Sequence, residues 1–228
     1  MKIIKYTKVG EFHKRNSKKN EDVIKYREND RFVIITLSDG VTSCGKSREG
    51  AAINCAEAIK FLMKNAQGLY PLSDEKKAYL ILEQLIYKLQ LAAIKENAPL
   101  SDYAATLSFC CFDKKYNKLL LFNSGDGAIF EHNCDSKKTQ LVLKPQRYDE
   151  VYTPLVTTEN AYKAAEIKIL DAKKNHIIFI CSDGVLKEFN EKLDENVSID
   201  LSEDCYELKN KLKNANNFDD CSFIALKI

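Results

Sequence analysis

The most restrictive feature of this sequence is a block of four strand-like segments with almost no room for helices between them. The segments are "AATLSFCCFD", "KLLLFNSGD", "GAIFEHN" and "TQLVLK", spread over residues 104–144 with short polar breaks. Strands joined this closely pair antiparallel, because a parallel pair needs a crossover of a dozen or more residues. Three more strands precede the block ("KIIKYTKV", "DVIKYRE", "RFVIITLS") and three follow it ("AEIKILD", "HIIFICSDG", "CSFIALKI"). All are rich in Ile and Val or other apolar residues and are bounded by polar breaks. Two long helices are predicted before the block. In "SREGAAINCAEAIKFLMKNA", Ala51, Ala52, Cys55, Ala58, Ile59 and Leu62 fall at helical spacing, with Ser47 as the expected N-cap. "SDEKKAYLILEQLIYKLQLAAIKEN" opens at Ser73, with Lys76 three positions on. A further helix is predicted near Leu208, and Arg147 to Lys163 reads as a long loop. Residues 1–228 are therefore expected to form one α+β domain, with antiparallel sheets flanked by helices.

Charge and cysteine usage exclude several partners. The 35 basic and 33 acidic residues give a formal charge of +2. That balance argues against nucleic acid or an anionic membrane as the main partner. The local lysine clusters "HKRNSKKN" and "DAKKNH" read as solvated loops. The eight cysteines include no C-x-x-C and no zinc spacing with histidine, and five of them lie in or beside apolar runs. The N-terminal segment carries charges where a signal peptide needs an apolar stretch, and no run reaches membrane-spanning length. A reduced, cytoplasmic, monomeric protein is expected.

The stretch "VIITLSDGVTSCGKSREGAAINCAEAI" (residues 33–59) supports two incompatible readings. Residues 40–47 satisfy G-x-x-x-x-G-K-[ST], the phosphate-cradling loop of nucleotide-binding proteins. The same stretch puts Asp39-Gly40 at the end of an apolar strand, where a carboxylate and a bare carbonyl suit a divalent metal. Two further pairs, Asp126-Gly127 and Asp183-Gly184, also cap apolar runs, and Asp22 and Asp219 sit beside two more. Asp-Gly is a common turn dipeptide, so one such pair carries little weight. Several strand-end carboxylates converging on one pocket would repel one another and need a hard cation, Mg²⁺ or Mn²⁺. A P-loop fold, by contrast, needs βαβ crossovers, which this order of elements does not supply.

Six short motifs, taken in order, resemble the metal-dependent serine/threonine protein phosphatases of type 2C, in particular their shorter bacterial branch. "KKNEDVIKY" is similar to the family's N-E-D box and "ITLSDGV" to its first Asp-Gly motif, with "SREGAA" as the helix start that follows. "AATLSF" and "LFNSGDGAIF" resemble its Thr strand and Gly-Asp strand end. "FICSDGV" resembles its Ser-Asp-Gly box and "DDCSFIAL" its closing Asp-Asn-x-Thr strand. The resemblance implies a four-layer α-β-β-α sandwich of two packed antiparallel sheets. It also implies hydrolysis of phosphoserine or phosphothreonine esters on proteins by a metal-activated water. Asp22, Asp39, the Gly40 carbonyl, Asp183 and Asp219 would hold two bridged ions of Mn²⁺ or Mg²⁺, Asp126 would serve a third, and Glu21 would act through water.

Three departures bear on that expectation. Ser17 stands where the family places a phosphate-gripping Arg, leaving Arg15 and Lys18 as candidate phosphate-binding cations. Val41 stands where larger relatives carry a His, and His13, His132 and His176 read as surface or edge residues. Asp220 and Ser222 replace the usual Asn and Thr of the closing motif. The missing Arg and His leave a second class of function open, a weakly active homologue that serves as a phosphoprotein-binding module.

Overall fold

A computed structural model of the chain describes residues 1–146, 153–187 and 201–228. Ten strands form two five-stranded sheets. One sheet has the order β2-β3-β4-β5-β8, from Val23–Glu28, Phe32–Ser38, Leu107–Asp113, Lys118–Ser124 and Glu166–Asp171. The other has the order β1-β10-β9-β6-β7, from Lys2–Lys8, Cys221–Lys227, His176–Cys181, Ala128–Asn133 and Lys138–Leu143. Every strand pairing among the described residues is antiparallel. The four-strand block does not form one meander, however. The chain leaves the first sheet at Ser124 and enters the second at Ala128, so β5 and β6 lie in different layers.

Strand periodicity explains the layers. Along β3, Phe32 and Ile34 point toward two long helices, α2 (Ser47–Leu69) and α3 (Asp74–Lys95), and join the cluster of Leu62, Leu85 and Phe122. Val33, Ile35 and Leu37 face the opposite way and meet Ile178, Ile180 and Ile224 from the other sheet. Along β9, Phe179 and Cys181 turn outward to Leu208 and Leu212 on α5 (Ser202–Asn214). Each of these two strands is thus covered on both faces, which is why their centres, "FVII" and "IIFIC", are unbroken apolar runs. Helices, sheet, sheet and helix give the expected four-layer α+β sandwich.

The element boundaries follow the sequence reading closely, with three corrections. The Ser73 side chain accepts a hydrogen bond from the Lys76 backbone N–H at 3.3 Å, capping α3 as its position suggests. Ser47 does not cap α2: Lys46 holds that position without a side-chain bond, and Ser47 is the first helical residue. "HKRNSKKN" is not wholly a solvated loop, because its first residues belong to a one-turn helix, α1 (Glu11–Arg15). Residues 147–152 of the expected loop lie outside the described residues, and its far end forms a 3-10 turn at Ala161–Lys163.

Candidate active site

Strand ends from both sheets meet at one end of the sandwich. Asp39-Gly40 follows β3, Gly125-Asp126-Gly127 joins β5 to β6, and Asp183 opens the short helix α4 (Asp183–Lys187) after β9. Asp219 and Asp220 precede β10, and Glu21 and Asp22 precede β2. Asp39, Gly40, Asp126, Asp183 and Asp219 line one open pocket of about 340 Å³. Asp22 lies behind that wall and is 7% exposed. Its Oδ2 accepts a hydrogen bond at 3.1 Å from the Ser182 hydroxyl, which bridges the two sheets. Asp126 reaches the pocket because it sits on the crossing between layers, and it accepts a bond from Thr153 Oγ1 at 3.1 Å.

The glycines of the Asp-Gly pairs serve close approach rather than left-handed geometry, since none of the three has a positive φ. A Cβ on Gly40 would stand 2.9 Å from the Ser47 backbone, and one on Gly184 only 2.0 Å from the Asp220 carbonyl oxygen. Glycine at these positions lets the loops lie against one another, which is what gathers their carboxylates.

Gathered in this way, the carboxylates are strained electrostatically. Burial first, and then the nearby charges of Asp220 and Asp183, push the Asp22 carboxyl up to about 7. Burial and the charges of Asp22, Asp183 and Asp126 hold Asp39 well above the usual carboxylate range. Asp22 Oδ1 is buried without a hydrogen-bond partner, and Glu21 Oε2 has no neighbour of that kind beyond a 3.4 Å approach to His13 Nε2. Orphaned carboxylate oxygens in an all-oxygen donor set fit a hard divalent cation. Among the described residues, no three His, Cys, Asp or Glu side chains are drawn together closely enough to enclose an ion directly. The donors instead line an open pocket, which leaves room for water to complete any ligand shell.

Not every expected site residue reaches the pocket. Lys18 stands at the rim, donating to the Thr42 carbonyl at 3.0 Å and lying 3.9 Å from Glu21. Arg15 is exposed at the end of α1 and does not line the pocket. Ser17, at the family's Arg position, has a left-handed backbone (φ 53°) just past that helix.

Sequence reasoning missed two basic side chains on the pocket wall. His13, read from the sequence as a surface or edge residue, is 4% exposed. His132 and His176 are buried too, bonded to Thr139 and Glu131. His13 Nδ1 lies 2.8 Å from Asp220 Oδ2, and Nε2 lies 3.4 Å from Glu21 Oε2. Its helix is anchored by Gly10 N–H on Asp220 Oδ1 at 2.7 Å and by packing of Phe12 on Phe218. Periodicity cannot signal a one-turn helix held by such distant contacts. The second is Lys187, whose signal was present: it stands four residues after Asp183, one helical turn along.

The P-loop reading of residues 40–47 is not supported. Lys46 turns away from the pocket to pair with Glu96 near the end of α3, and Gly40 makes an isolated antiparallel bridge to Ala105, just before β4. Among the described residues the sheets are antiparallel throughout and offer no βαβ unit to carry such a loop.

The family model of protein phosphatase 2C matches residues 9–215. No curated protein matches the chain. Among solved structures, the serine/threonine phosphatase Stp1 from Staphylococcus aureus superposes with a TM-score of 0.67 at 15% identity, covering 100% of this chain and 95% of that one. A bacterial serine phosphatase gives 0.64 at 16% identity, covering 99% and 96%. RsbX in complex with magnesium gives 0.60 at 14% identity, covering 98% and 92%. At such identities the structural likeness establishes the fold, and the family follows from the match over most of the sequence. The chain belongs to the protein phosphatase 2C family and is a serine/threonine phosphatase, a hydrolase of phosphate monoesters.

Proposed function

We propose that the chain dephosphorylates phosphoserine and phosphothreonine on protein substrates as one monomeric domain. The observation that carries this reading is the convergence of strand-end carboxylates from both sheets on one open pocket. Asp39, the Gly40 carbonyl, Asp183 and Asp219 would hold Mn²⁺ or Mg²⁺, with Asp22 completing the set from behind and Asp126 available to a further ion. When bound, the ions supply positive charge that lowers the pKa of water and neutralises phosphoryl oxygens.

The chain's own residues do the rest. Ser182 and the backbone around Thr106 fix the carboxylates: Asp39 N–H donates to Thr106 Oγ1 at 2.9 Å, and Thr106 N–H donates to the Asp39 carbonyl at 2.9 Å. Glu21 is held by its backbone N–H on Asp220 Oδ2 at 2.7 Å, with its side chain between Lys18 and His13. His13 is the basic side chain on the pocket wall that faces an incoming phosphate, and Lys18 adds charge at the rim.

No cysteine takes part. None lines the pocket; Cys181 and Cys221, each beside a site segment, are buried, and burial pushes the Cys181 thiol above its ordinary range. Hydrolysis of a phosphothreonine peptide and of ATP, each with Mn²⁺, Mg²⁺ and EDTA, tests the proposal. Metal-dependent release of phosphate from the peptide, with little from ATP, is expected. Turnover that persists in EDTA would contradict it.

A further inference from the structure

Lys187 occupies an unusual position for a lysine in a site built from carboxylates. Its Nζ lies 2.6 Å from Asp183 Oδ2 and 2.7 Å from Asp219 Oδ2, so one ammonium bridges two acidic segments that are 36 residues apart in sequence by number. The contact is not an accident of a long side chain in solvent. Ser182 sets the start of α4, with Val185 N–H on its carbonyl at 3.1 Å, and the helical turn then aims Lys187 back along the face that carries Asp183. Gly184 brings this helix against the Asp220 carbonyl, which places Asp219 within reach of the same ammonium.

We propose that Lys187 is a tethered competitor for metal: its ammonium stands in for one cation between Asp183 and Asp219 and must be displaced when an ion binds there. The inference rests on the reading of these carboxylates as metal ligands and adds to it a property of this chain.

An ammonium is a compact, strongly hydrated point charge with three donors, and two of those donors here occupy carboxylate oxygens that a hard ion would otherwise use. It carries one charge where a divalent ion carries two, so it relieves the repulsion between the carboxylates only in part. Asp39 and Asp126 line the same pocket beyond the reach of its two contacts, so a divalent ion still finds oxygen ligands there. A lysine ammonium keeps its charge at neutral pH, so the competitor is a cation under working conditions. Lys187 is about half exposed, and the displaced side chain can therefore move into solvent without strain. A site arranged in this way is stable without metal and responds to metal only at higher concentration.

Isothermal titration of Mn²⁺ into the parent and into Lys187→Met tests the inference, with Lys187→Arg as a charge-retaining control. Lys187→Met should bind Mn²⁺ on the order of tenfold more tightly at one site, a change equivalent to two modest ion pairs. Lys187→Arg should stay close to the parent. Thermal unfolding provides a second reading: without metal Lys187→Met should melt lower than the parent, and its gain in Tm on adding Mn²⁺ should be larger. If Lys187→Met does not fold without metal, Lys187→Gln is titrated instead. Equal or weaker Mn²⁺ affinity in the uncharged variant would overturn the inference while leaving the metal site in place. No Mn²⁺ binding to either protein would overturn both.

Discussion

His13 Nδ1 lies 2.8 Å from Asp220 Oδ2, and this contact ties the one-turn helix α1 to the segment that opens β10. Asp220 is the residue that stands where the family uses Asn. Its two oxygens take three donors: the Gly10 and Glu21 backbone N–H groups, both at 2.7 Å, and the His13 ring. The acidic departure in the closing motif and the buried histidine are therefore one arrangement. It positions Glu21 from one side and the wall of the pocket from the other.

Asp220→Asn should accordingly loosen α1. An amide offers one acceptor oxygen where the carboxylate offers two, so a buried donor loses its partner at a cost of about 1–3 kcal/mol. Urea unfolding in EDTA checks this. A variant as stable as the parent would mean that relief of repulsion within the acidic cluster outweighs the lost bonds.

The metal-free protein should lose stability as pH rises. Asp22 titrates at about 7 in the fold, above its ordinary value of 3.8, and Asp39 is shifted in the same direction. Between those limits the folded state binds more protons than the unfolded chain, so unfolding becomes easier with increasing pH. Thermal melts in EDTA should show a higher Tm near pH 5 than near pH 8, by several degrees. Saturating Mn²⁺ should reverse the slope, because the ion binds the deprotonated carboxylates. A Tm in EDTA that rises from pH 5 to pH 8 would contradict the buried-carboxylate account.

Lys46→Ala separates the two readings of the Gly40–Ser47 loop. Lys46 pairs with the exposed Glu96, and a surface pair of this kind contributes about 0–1 kcal/mol. Phosphopeptide hydrolysis should stay within a few-fold of the parent, and equilibrium dialysis should show no micromolar ATP binding. Tight, Mg²⁺-dependent ATP binding lost in the variant would restore a nucleotide-binding role.

Much of this architecture is legible in the sequence because burial on two faces writes continuous apolar runs, as in Phe32–Ser38 and His176–Cys181. Helix signals of ordinary strength also read well, as the Ser73 cap of α3 does. Strand order does not, because nothing local in "NSGDGAIF" says that the chain changes sheets between Ser124 and Ala128. The Asp-Gly motifs give the carboxylate positions that the pocket brings together. The two basic side chains on its wall are harder to read. His13 is placed by contacts more than 200 residues away in sequence, and Lys187 is marked only by standing four residues after Asp183, in a helix of five residues. Local patterns report what a residue does to its own segment, whereas these two act across segments.

The central claim is that the gathered carboxylates carry the phosphatase chemistry, and Asp39 is the residue that tests it most directly. It lines the pocket, feels the charges of Asp22 and Asp183, and is nearly isosteric with Asn. The decisive measurement is the rate of phosphothreonine-peptide hydrolysis by Asp39→Asn against the parent in millimolar Mn²⁺, after melts in EDTA show that both proteins are folded. The account predicts a loss of several orders of magnitude in kcat with the fold intact. A folded Asp39→Asn protein that turns over at the parent's rate would contradict it.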